Sequence, residues 1–134
     1  MSGKAFLDTN IVVYAFIASD HRAEIAAGLL EAGGTISVQV LNEFASVARR
    51  KLGMSWDEVD AALEAVKTLC GTVLPMTVEL HAAGLDIARR YGFGIYDALI
   101  VAAAIRGRCQ TLYSEDMQDG QRIEGLTVRN PFGA

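Results

Sequence analysis

The sequence has no long hydrophobic run and no recognisable targeting segment. Its two longest apolar runs, Ile11–Ala18 and Ala98–Ile105, contain eight residues each, whereas a helix that spans a bilayer needs about 20. Asp8 interrupts the first apolar stretch of the chain, so no signal peptide is readable. We therefore expect a cytoplasmic protein that does not associate with membranes.

Cysteine and proline are also scarce, with two of each. Cys70 and Cys109 lie in unrelated apolar segments without Cys-x-x-Cys spacing, which is typical of reduced core thiols. No linker, repeat or low-complexity segment divides the 134 residues, and 51% of them are hydrophobic, which excludes a disordered chain. We expect a single domain over residues 1–134, because this length supports one packed core.

The chain lacks the net positive charge that nucleic-acid-binding modules usually carry. It has 12 basic and 16 acidic side chains, which gives a formal net charge of −4. Taken alone, this balance disfavours a nucleic-acid partner, and it directs attention to where the acids lie.

Short apolar runs alternate with helical patterns along the whole chain. Strands that alternate with helices indicate an α/β protein with a central parallel sheet flanked by helices. The predicted strands are Lys4–Leu7, Thr35–Val38, Thr72–Pro75, Gln110–Tyr113 and Leu126–Arg129. Five helices are predicted. The first starts at Ile11 and continues to Ala32, the second is Gln39–Leu52, and the last is Ile95–Arg106. Between them, a third helix is capped by Ser55 and runs to Cys70, and a fourth is capped by Thr77 and runs to Tyr91.

Four carboxylates occupy places where an acid is costly to bury unless it is paired, hydrogen-bonded or bound to a cation. Asp8 follows the first strand and Asp116 follows the fourth. Asp97 lies in the first turn of the apolar helix, and Glu43 lies one turn into the helix that begins at Gln39. Because strand ends and the following helix starts share one edge of a parallel sheet, we expect these acids to converge there.

An oxygen-only cluster of this kind suits the hard ions Mg²⁺ and Mn²⁺. Two such ions, about 4 Å apart, would activate a water and stabilise the leaving oxygen of a phosphodiester. Each acid also has a simpler role open to it: Asp8 and Asp97 as helix caps, Glu43 as the partner of an arginine, and Asp116 as a turn residue. Spacing alone therefore predicts an acidic site and names no substrate.

Together with their neighbours, these acids resemble the acidic pattern of PIN domains. The size of the chain is similar to that of the VapC-type toxins of bacterial toxin–antitoxin modules within that family. The resemblance extends from about Lys4 to Phe132 and depends on the order and spacing of several short motifs. These motifs are Asp8-Thr9-Asn10, Glu43, Asp97-Ala98-Leu99-Ile100 and Ser114-Glu115-Asp116, followed by the closing stretches Leu112–Gly120 and Gly125–Phe132.

The resemblance implies a single PIN-like domain in which a parallel five-stranded sheet lies between helices, as an α/β/α sandwich. It implies a Mg²⁺- or Mn²⁺-dependent endoribonuclease that is the toxin of a type II toxin–antitoxin module, forms a homodimer and is inhibited by a small cognate antitoxin. Asp8 and Asp97 would be the main metal ligands, and Glu43 and Asp116 would complete what we call the acidic quartet. The residues that would support the site by hydrogen bonding are Thr9, Asn10 and Ser114.

One position departs from the family pattern. Many relatives carry a histidine where this chain has Asp119. Asp119 either adds a fifth acid or makes a turn before Gly120, and we favour the turn.

Other acidic α/β proteins fit the sequence less well. A phospho-receiver domain needs a lysine after its last strand, but the lysines here are at positions 4, 51 and 67. An aspartyl-nucleophile phosphatase needs a second aspartate two residues after the first, where this chain has Asn10. The remaining alternative is a PIN-like module that binds RNA or a partner without cutting, which the loss of one acid would favour; none is lost.

Several basic and aromatic side chains are open to two interpretations. The basic clusters lie near helix ends, where positive charge stabilises the helix dipole, and we favour this role over RNA contact because such ends should point away from the acidic edge. For Trp56 and Tyr96 we favour core or interface packing over base stacking. The basic clusters are Arg49-Arg50-Lys51, Arg89-Arg90, and Arg106 with Arg108. A separate set of apolar residues suits either the core or a groove that receives an antitoxin segment: Phe16, Ile17, Leu41, Phe44 and Val47.

The acidic quartet also changes the meaning of the net charge. Without its four carboxylates the chain has 12 basic and 12 acidic side chains. Two divalent ions would cancel the formal charge of the quartet and allow it to accept a phosphate group. The acidity therefore favours a metal-dependent phosphodiester enzyme and does not exclude an RNA substrate.

Overall fold

The protein is described here by a computed structural model that covers residues 4–17 and 19–133. Strands and helices alternate along this part of the chain, as the sequence predicts. The strands are β1 (Ala5–Leu7), β2 (Thr35–Ser37), β3 (Thr72–Leu74), β4 (Thr111–Tyr113), β5 (Arg122–Ile123) and β6 (Leu126–Arg129). The helices are α1 (Thr9–Ile17), α2 (His21–Glu31), α3 (Val38–Arg50), α4 (Trp56–Cys70), α5 (Val78–Tyr91) and α6 (Ile95–Arg106).

The sheet has six strands in the order β3-β2-β1-β4-β6-β5. The five predicted strands are present, and each is parallel to its neighbours among them. The prediction of a five-stranded sheet is nevertheless wrong by one strand, because β5 adds an antiparallel edge to β6. Glu124 and Gly125 both have positive φ, at 50° and 89°, and make the two-residue turn between these strands.

The predicted first helix is divided in two. α1 ends at Ile17 and α2 begins at His21, whose N-cap Asp20 accepts a hydrogen bond from the backbone N–H of Arg22 at 3.0 Å. This side-chain cap satisfies a helix N-terminus in the middle of the predicted helix and explains the break. Ala18, which we placed at the end of the apolar run, lies outside the described residues.

The connections of the sheet place the edge at which the acids meet. From β1 the chain moves outward to β2 and β3, and then crosses back to β4 on the other side of β1. Right-handed crossovers put α1–α4 on one face of the sheet and α5 and α6 on the other. The adjacent carboxyl ends of β1 and β4 therefore form a topological switch point, where ligands bind in open α/β sheets.

The core lies between the sheet and its helices. α6 is buried along seven consecutive residues, Ala98–Ala104, as its nearly uniform apolar sequence predicts. Both cysteines, Cys70 and Cys109, are buried free thiols, which agrees with the prediction. Within residues 4–17 and 19–133, none of the helices combines the length and the apolar character that crossing a membrane requires.

Two helical glycines give a matched test of the packing between α5 and α6. A Cβ at Gly84 would lie 2.6 Å from Cδ2 of Leu99, whereas a Cβ at Gly28 would have no neighbour within 4 Å. Gly28→Ala should raise the free energy of unfolding by up to about 1 kcal/mol, because alanine favours the helix. Gly84→Ala should lose this gain or lower the free energy of unfolding, because Leu99 must move. Chemical denaturation of the two variants measures the difference, and an equal stabilisation by both would contradict the packing described.

Candidate active site

Asp8 lies at the junction between β1 and β4. Its backbone N–H donates to the carbonyl oxygen of Tyr113 at 3.0 Å, so the pairing of the two strands continues one residue beyond β1. The residue is only 4% exposed. Oδ1 accepts a hydrogen bond from the backbone N–H of Thr9 at 2.7 Å, and Oδ2 accepts one from Oγ of Ser114 at 2.8 Å. The strand pairing and these two hydrogen bonds fix both oxygens of a buried carboxylate.

The electrostatic surroundings of Asp8 favour its protonated form. Burial raises the pKa of Asp8 from 3.8 to about 7, and the negative charges of Asp97 and Glu43 contribute in the same direction. The hydrogen bonds from Ser114 and Thr9 oppose this rise. The ionised carboxylate is therefore unfavourable in the protein alone and would be stabilised by a nearby cation.

Glu43 reaches the site from α3. Ser37 caps α3 directly after β2, through a hydrogen bond from the backbone N–H of Val40 at 3.4 Å, and so starts this helix at the carboxyl edge of the sheet. Oε1 of Glu43 accepts from Oγ1 of Thr9 at 2.6 Å, and Oε2 accepts from Nε2 of Gln39 at 3.1 Å. Glu43 is thus held by Thr9 and Gln39, and it has no arginine partner among the described residues.

Asp97 lies in the first turn of α6, whose N-cap is Gly94. Asp97 therefore does not cap its helix, and its side chain makes no hydrogen bond within residues 4–17 and 19–133. Partial burial raises its pKa, and the charges of Asp116 and Glu43 raise it further. This half-buried carboxylate has no protein group among those described that would explain its position.

Asp116 follows β4 and is the most exposed member of the quartet. Its backbone N–H donates to Oγ of the fully buried Ser114 at 3.1 Å, and its Oδ2 accepts from Nδ2 of Asn10 at 3.1 Å. Oδ1 of Asn10 accepts from the backbone N–H of Glu115 at 3.2 Å. The segment after β4 is thereby fastened to the start of α1 at two points.

The three residues expected to support the site all contact the acids. Thr9 binds Glu43, Asn10 binds Asp116, and Ser114 binds Asp8. Each hydrogen bond joins segments that are 34 or 106 residues apart in the chain. The structure thus links the start of α1, the middle of α3 and the segment after β4 through one set of polar contacts.

The charges and donors of the quartet suit a divalent cation, although the carboxylates are not gathered as a finished ligand set. All donors are oxygens, and the described part of the chain places no basic side chain in an ion pair with any of the four acids. Within that same part, no three Asp, Glu, His or Cys side chains are placed to hold a metal ion together. Glu43 and Asp116 instead accept hydrogen bonds from Thr9 and Asn10.

A groove of about 950 Å³ opens beside the quartet. Glu43 and Asp116 line one end of it, and Arg50 and Lys51 line the other. Arg50 and Lys51 thus lie at the end of α3 that is far from the acids, as expected, but they line the same groove as Glu43 and Asp116. Because Glu43 and Arg50 are seven residues apart, two helical turns bring both side chains to the same face of α3.

The other aromatic and basic residues divide between structural and open positions. Trp56 is 64% exposed and Tyr96 is 62% exposed, so core packing is wrong for both. The guanidinium of Arg49 lies 4.5 Å from the centre of the Trp56 ring, and Arg90 is paired with Asp86 and Glu124. Tyr96 lines the groove, whereas Trp56 does not.

The apolar residues proposed for an antitoxin groove also divide between the core and the groove. Phe44 is fully buried and packs on Phe16 in an edge-to-face arrangement with ring centroids 5.5 Å apart, so Phe44 belongs to the core. Ile17 and Val47 line the groove, and Leu41 packs against the core. Of this set, Ile17 and Val47 therefore line the groove, whereas Phe44 and Leu41 pack in or against the core.

Asp119 lies at the turn before β5. Its Oδ1 accepts a hydrogen bond from the backbone N–H of Asn130 at 2.9 Å, and Gly120 follows with φ of 86°. Neither Asp8 nor Asp97 has a pKa raised by its charge. These contacts fit a turn residue.

Three contacts at the site are absent from the predictions. Gln39 holds Glu43 from the preceding turn of α3, and the spacing of four residues is a signal that the sequence contains. Tyr14 donates a hydrogen bond to Glu115, and Arg22 lies 4.5 Å above the Tyr14 ring. Tyr14 and Glu115 are 101 residues apart in the chain, so no local pattern identifies their hydrogen bond.

The raised pKa of Asp8 predicts how stability depends on pH in a chelating buffer. Between about pH 4 and about pH 7, folded Asp8 keeps a proton that the unfolded chain has released, so the free energy of unfolding falls as the pH rises. Asp8→Asn should remove this part of the fall, and it should stabilise the protein more at about pH 8 than at about pH 4. Urea denaturation across this range measures the effect, with the exposed Asp60→Asn as the matched control. Parallel curves for the wild type and Asp8→Asn would contradict the account of Asp8.

Solved structures with a similar fold include bacterial toxins and toxin–antitoxin complexes. The Mycobacterium tuberculosis VapC20, described as a sarcin-ricin loop cleaving toxin, is 22% identical with a TM-score of 0.69, covering 84% of this chain and 90% of that one. A toxin–antitoxin complex from Klebsiella pneumoniae is 22% identical with a TM-score of 0.72, covering 96% of this chain and 98% of that one. VapBC2 from Rickettsia felis, bound to a promoter DNA fragment, is 22% identical with a TM-score of 0.66, covering 93% of this chain and 96% of that one.

At a sequence identity of 22%, these structures show that the fold of this chain is similar to theirs. No curated protein sequence matches the chain. The model of the PIN domain family matches residues 5–120, which contain β1 to β4 and all members of the acidic quartet. The chain therefore belongs to the PIN domain family.

Proposed function

We propose that this protein is a Mg²⁺- or Mn²⁺-dependent endoribonuclease and the toxin of a type II toxin–antitoxin module. The observation that carries the proposal is the buried Asp8 carboxylate, which lies at the switch point of the sheet among other acids that raise its pKa. No described basic side chain compensates this charge. A divalent cation would do so, and the family and the toxin structures of similar fold support the same activity.

The chemistry of the donors, which are all carboxylate oxygens, suits such an ion. Asp8 and Asp97 would be its main ligands, because one is anchored at the end of β1 and the other has no protein partner among the described residues. Glu43 and Asp116 would complete the set, directly or through water, and each is tied to α1 by Thr9 or Asn10. When bound, the ion would lower the pKa of a water molecule and stabilise the negative charge that develops during phosphodiester hydrolysis.

The protein's own residues prepare the site for this reaction. Ser114 donates to Oδ2 of Asp8 and accepts from the backbone N–H of Asp116, so one hydroxyl orients two of the acids. Because its Oγ is fully buried and engaged in both bonds, Ser114 is a positioning residue and not a nucleophile. The attacking group would be water, which leaves 3′-hydroxyl and 5′-phosphate ends on the RNA.

The partners follow from the same proposal. We propose that the protein works in the cytoplasm as a homodimer that a small cognate antitoxin inhibits; the structurally similar toxin–antitoxin complex from Klebsiella pneumoniae supports an antitoxin partner. A basic side chain of that antitoxin would neutralise the acidic end of the groove.

A second candidate is a PIN-like module that binds RNA or a partner without cutting it. The observation that favours it is the placement of Glu43 and Asp116, which accept hydrogen bonds and do not form a metal-holding group with the other acids described. The two candidates differ in one measurable property, because only the nuclease hydrolyses RNA when a divalent ion is added.

Asp97→Asn tests the nuclease directly. It replaces a metal-binding oxygen without changing the size of the side chain, so Mn²⁺ binding and RNA cleavage should fall together, with cleavage lower by about 100-fold or more. Binding is measured by calorimetry, and cleavage is measured on tRNA, rRNA and mRNA with the ends mapped by sequencing. Asp60→Asn, at an exposed site on α4, is the matched control.

The outcomes separate the two candidates. Cleavage by Asp97→Asn at the wild-type rate would contradict the assignment of the site. If the wild type binds Mn²⁺ but cleaves none of the RNAs, the binding module is the better description.

A further inference from the structure

The groove beside the quartet has two chemically different ends on one helix. Gln39, Glu43, Ser46 and Arg50 all line it, and their spacing of three or four residues places them along one face of α3. Glu43 and Arg50 are separated by about 10 Å along the helix axis. A ligand that contacts Arg50 therefore extends well beyond the acidic end of the groove.

Stabilisation of the helix dipole does not account for the direction of the Arg50 side chain. Its Nε donates to Oγ of Ser46 at 3.0 Å, one turn back toward Glu43. In the described part of the chain it forms no ion pair. Its neighbour Arg49, in contrast, donates to the carbonyl oxygen of Met54 at 2.9 Å and stacks on Trp56. Arg50 thus keeps its terminal amino groups available on the groove side, and the adjacent Lys51 adds a second positive charge there.

The surface between the two ends suits unpaired bases. Val13, Ile17 and Val47 contribute apolar side chains to the groove, and Asn42 contributes an amide. Phosphates gain nothing from such a surface, whereas the faces of unstacked bases pack on apolar and aromatic side chains. Tyr96, which is 62% exposed, presents an aromatic ring to the same groove. In a duplex, the base faces are already stacked on one another and are not available.

We propose that Arg50 and Lys51 form a subsite for a phosphate of single-stranded RNA, next to the phosphate at the acidic end, and that Tyr96 stacks on an unpaired base in the groove. The inference rests on the proposed nuclease function and specifies the substrate as RNA that is unpaired beyond the scissile bond. One polyanion satisfies both ends of the groove when the acids hold a divalent cation, and arginine is well suited to phosphate. An acidic peptide would match only the basic end.

The test compares two arginines in the last turns of their helices. Arg50→Gln removes the proposed phosphate contact, and Arg89→Gln removes the same charge from α5 outside the groove. Binding of a fluorescent single-stranded RNA of mixed sequence is measured by anisotropy over a range of salt concentrations, with Ca²⁺ in place of Mg²⁺ to slow hydrolysis. The same RNA annealed to its complement is measured in parallel, and cleavage of the single strand is measured in Mg²⁺.

Arg50→Gln should weaken single-strand binding by about tenfold and reduce the slope of log K against log salt by about 0.7. Arg89→Gln should leave both close to the wild type. Tyr96→Ala should weaken binding by about fivefold or more, and Tyr96→Phe should restore it, because the ring and not the hydroxyl carries the stacking. The duplex should bind more weakly, and Arg50→Gln should not change its affinity.

The outcomes keep this subsite separate from the catalytic proposal. Loss of binding in Arg50→Gln supports the subsite even if the wild type cleaves nothing, in which case the nuclease function alone is wrong. Normal cleavage together with equal binding by Arg50→Gln and Arg89→Gln overturns the subsite and leaves the nuclease standing. Tighter binding of the duplex than of the single strand also overturns the subsite. The same holds if the groove binds a protein partner and Arg50→Gln leaves RNA affinity unchanged.

Discussion

The structure of the site depends on a carboxylate buried where two parallel strands end. Asp8 continues the pairing of β1 with β4, and its side chain accepts hydrogen bonds from Thr9 and Ser114. Burying an acid here raises its pKa to about 7, so the protein alone holds the charged form at a cost. A bound cation would explain why this cost is tolerated, because the negative charge that opposes folding would attract the cation.

The rest of the acidic site is built outward from this residue. Thr9 and Asn10 follow Asp8 in the chain and bind Glu43 and Asp116, while Ser114 connects Asp8 to the segment after β4. The first residues of α1 therefore set the positions of acids that arrive from α3 and from the end of β4. Beyond the quartet, α3 continues along the groove to Arg50, so one helix provides both an acidic and a basic end.

Much of this arrangement could be predicted from the sequence because it depends on local patterns. Short apolar runs and helix caps identified the five parallel strands. The acids were placed at one edge because Asp8 and Asp116 follow strands, while Asp97 and Glu43 lie near helix starts. The antiparallel strand β5 was missed because two residues, Arg122 and Ile123, carry too short a pattern. The break between α1 and α2 was missed because apolar spacing continues through it, while the Asp20 cap decides the boundary. The direction of Arg50 depends on its hydrogen bond to Ser46 and on the packing of α3, which spacing from a helix end does not reveal.

The central claim is that the acidic quartet is a site for divalent cations. Crystals grown with Mn²⁺ and measured near the manganese absorption edge test it most directly, because anomalous scattering locates the ion without reference to activity. We predict an anomalous peak at this edge of the sheet, beside the carboxylates of Asp8 and Asp97. No peak at this edge of the sheet under Mn²⁺ concentrations that saturate RNA cleavage would contradict the account.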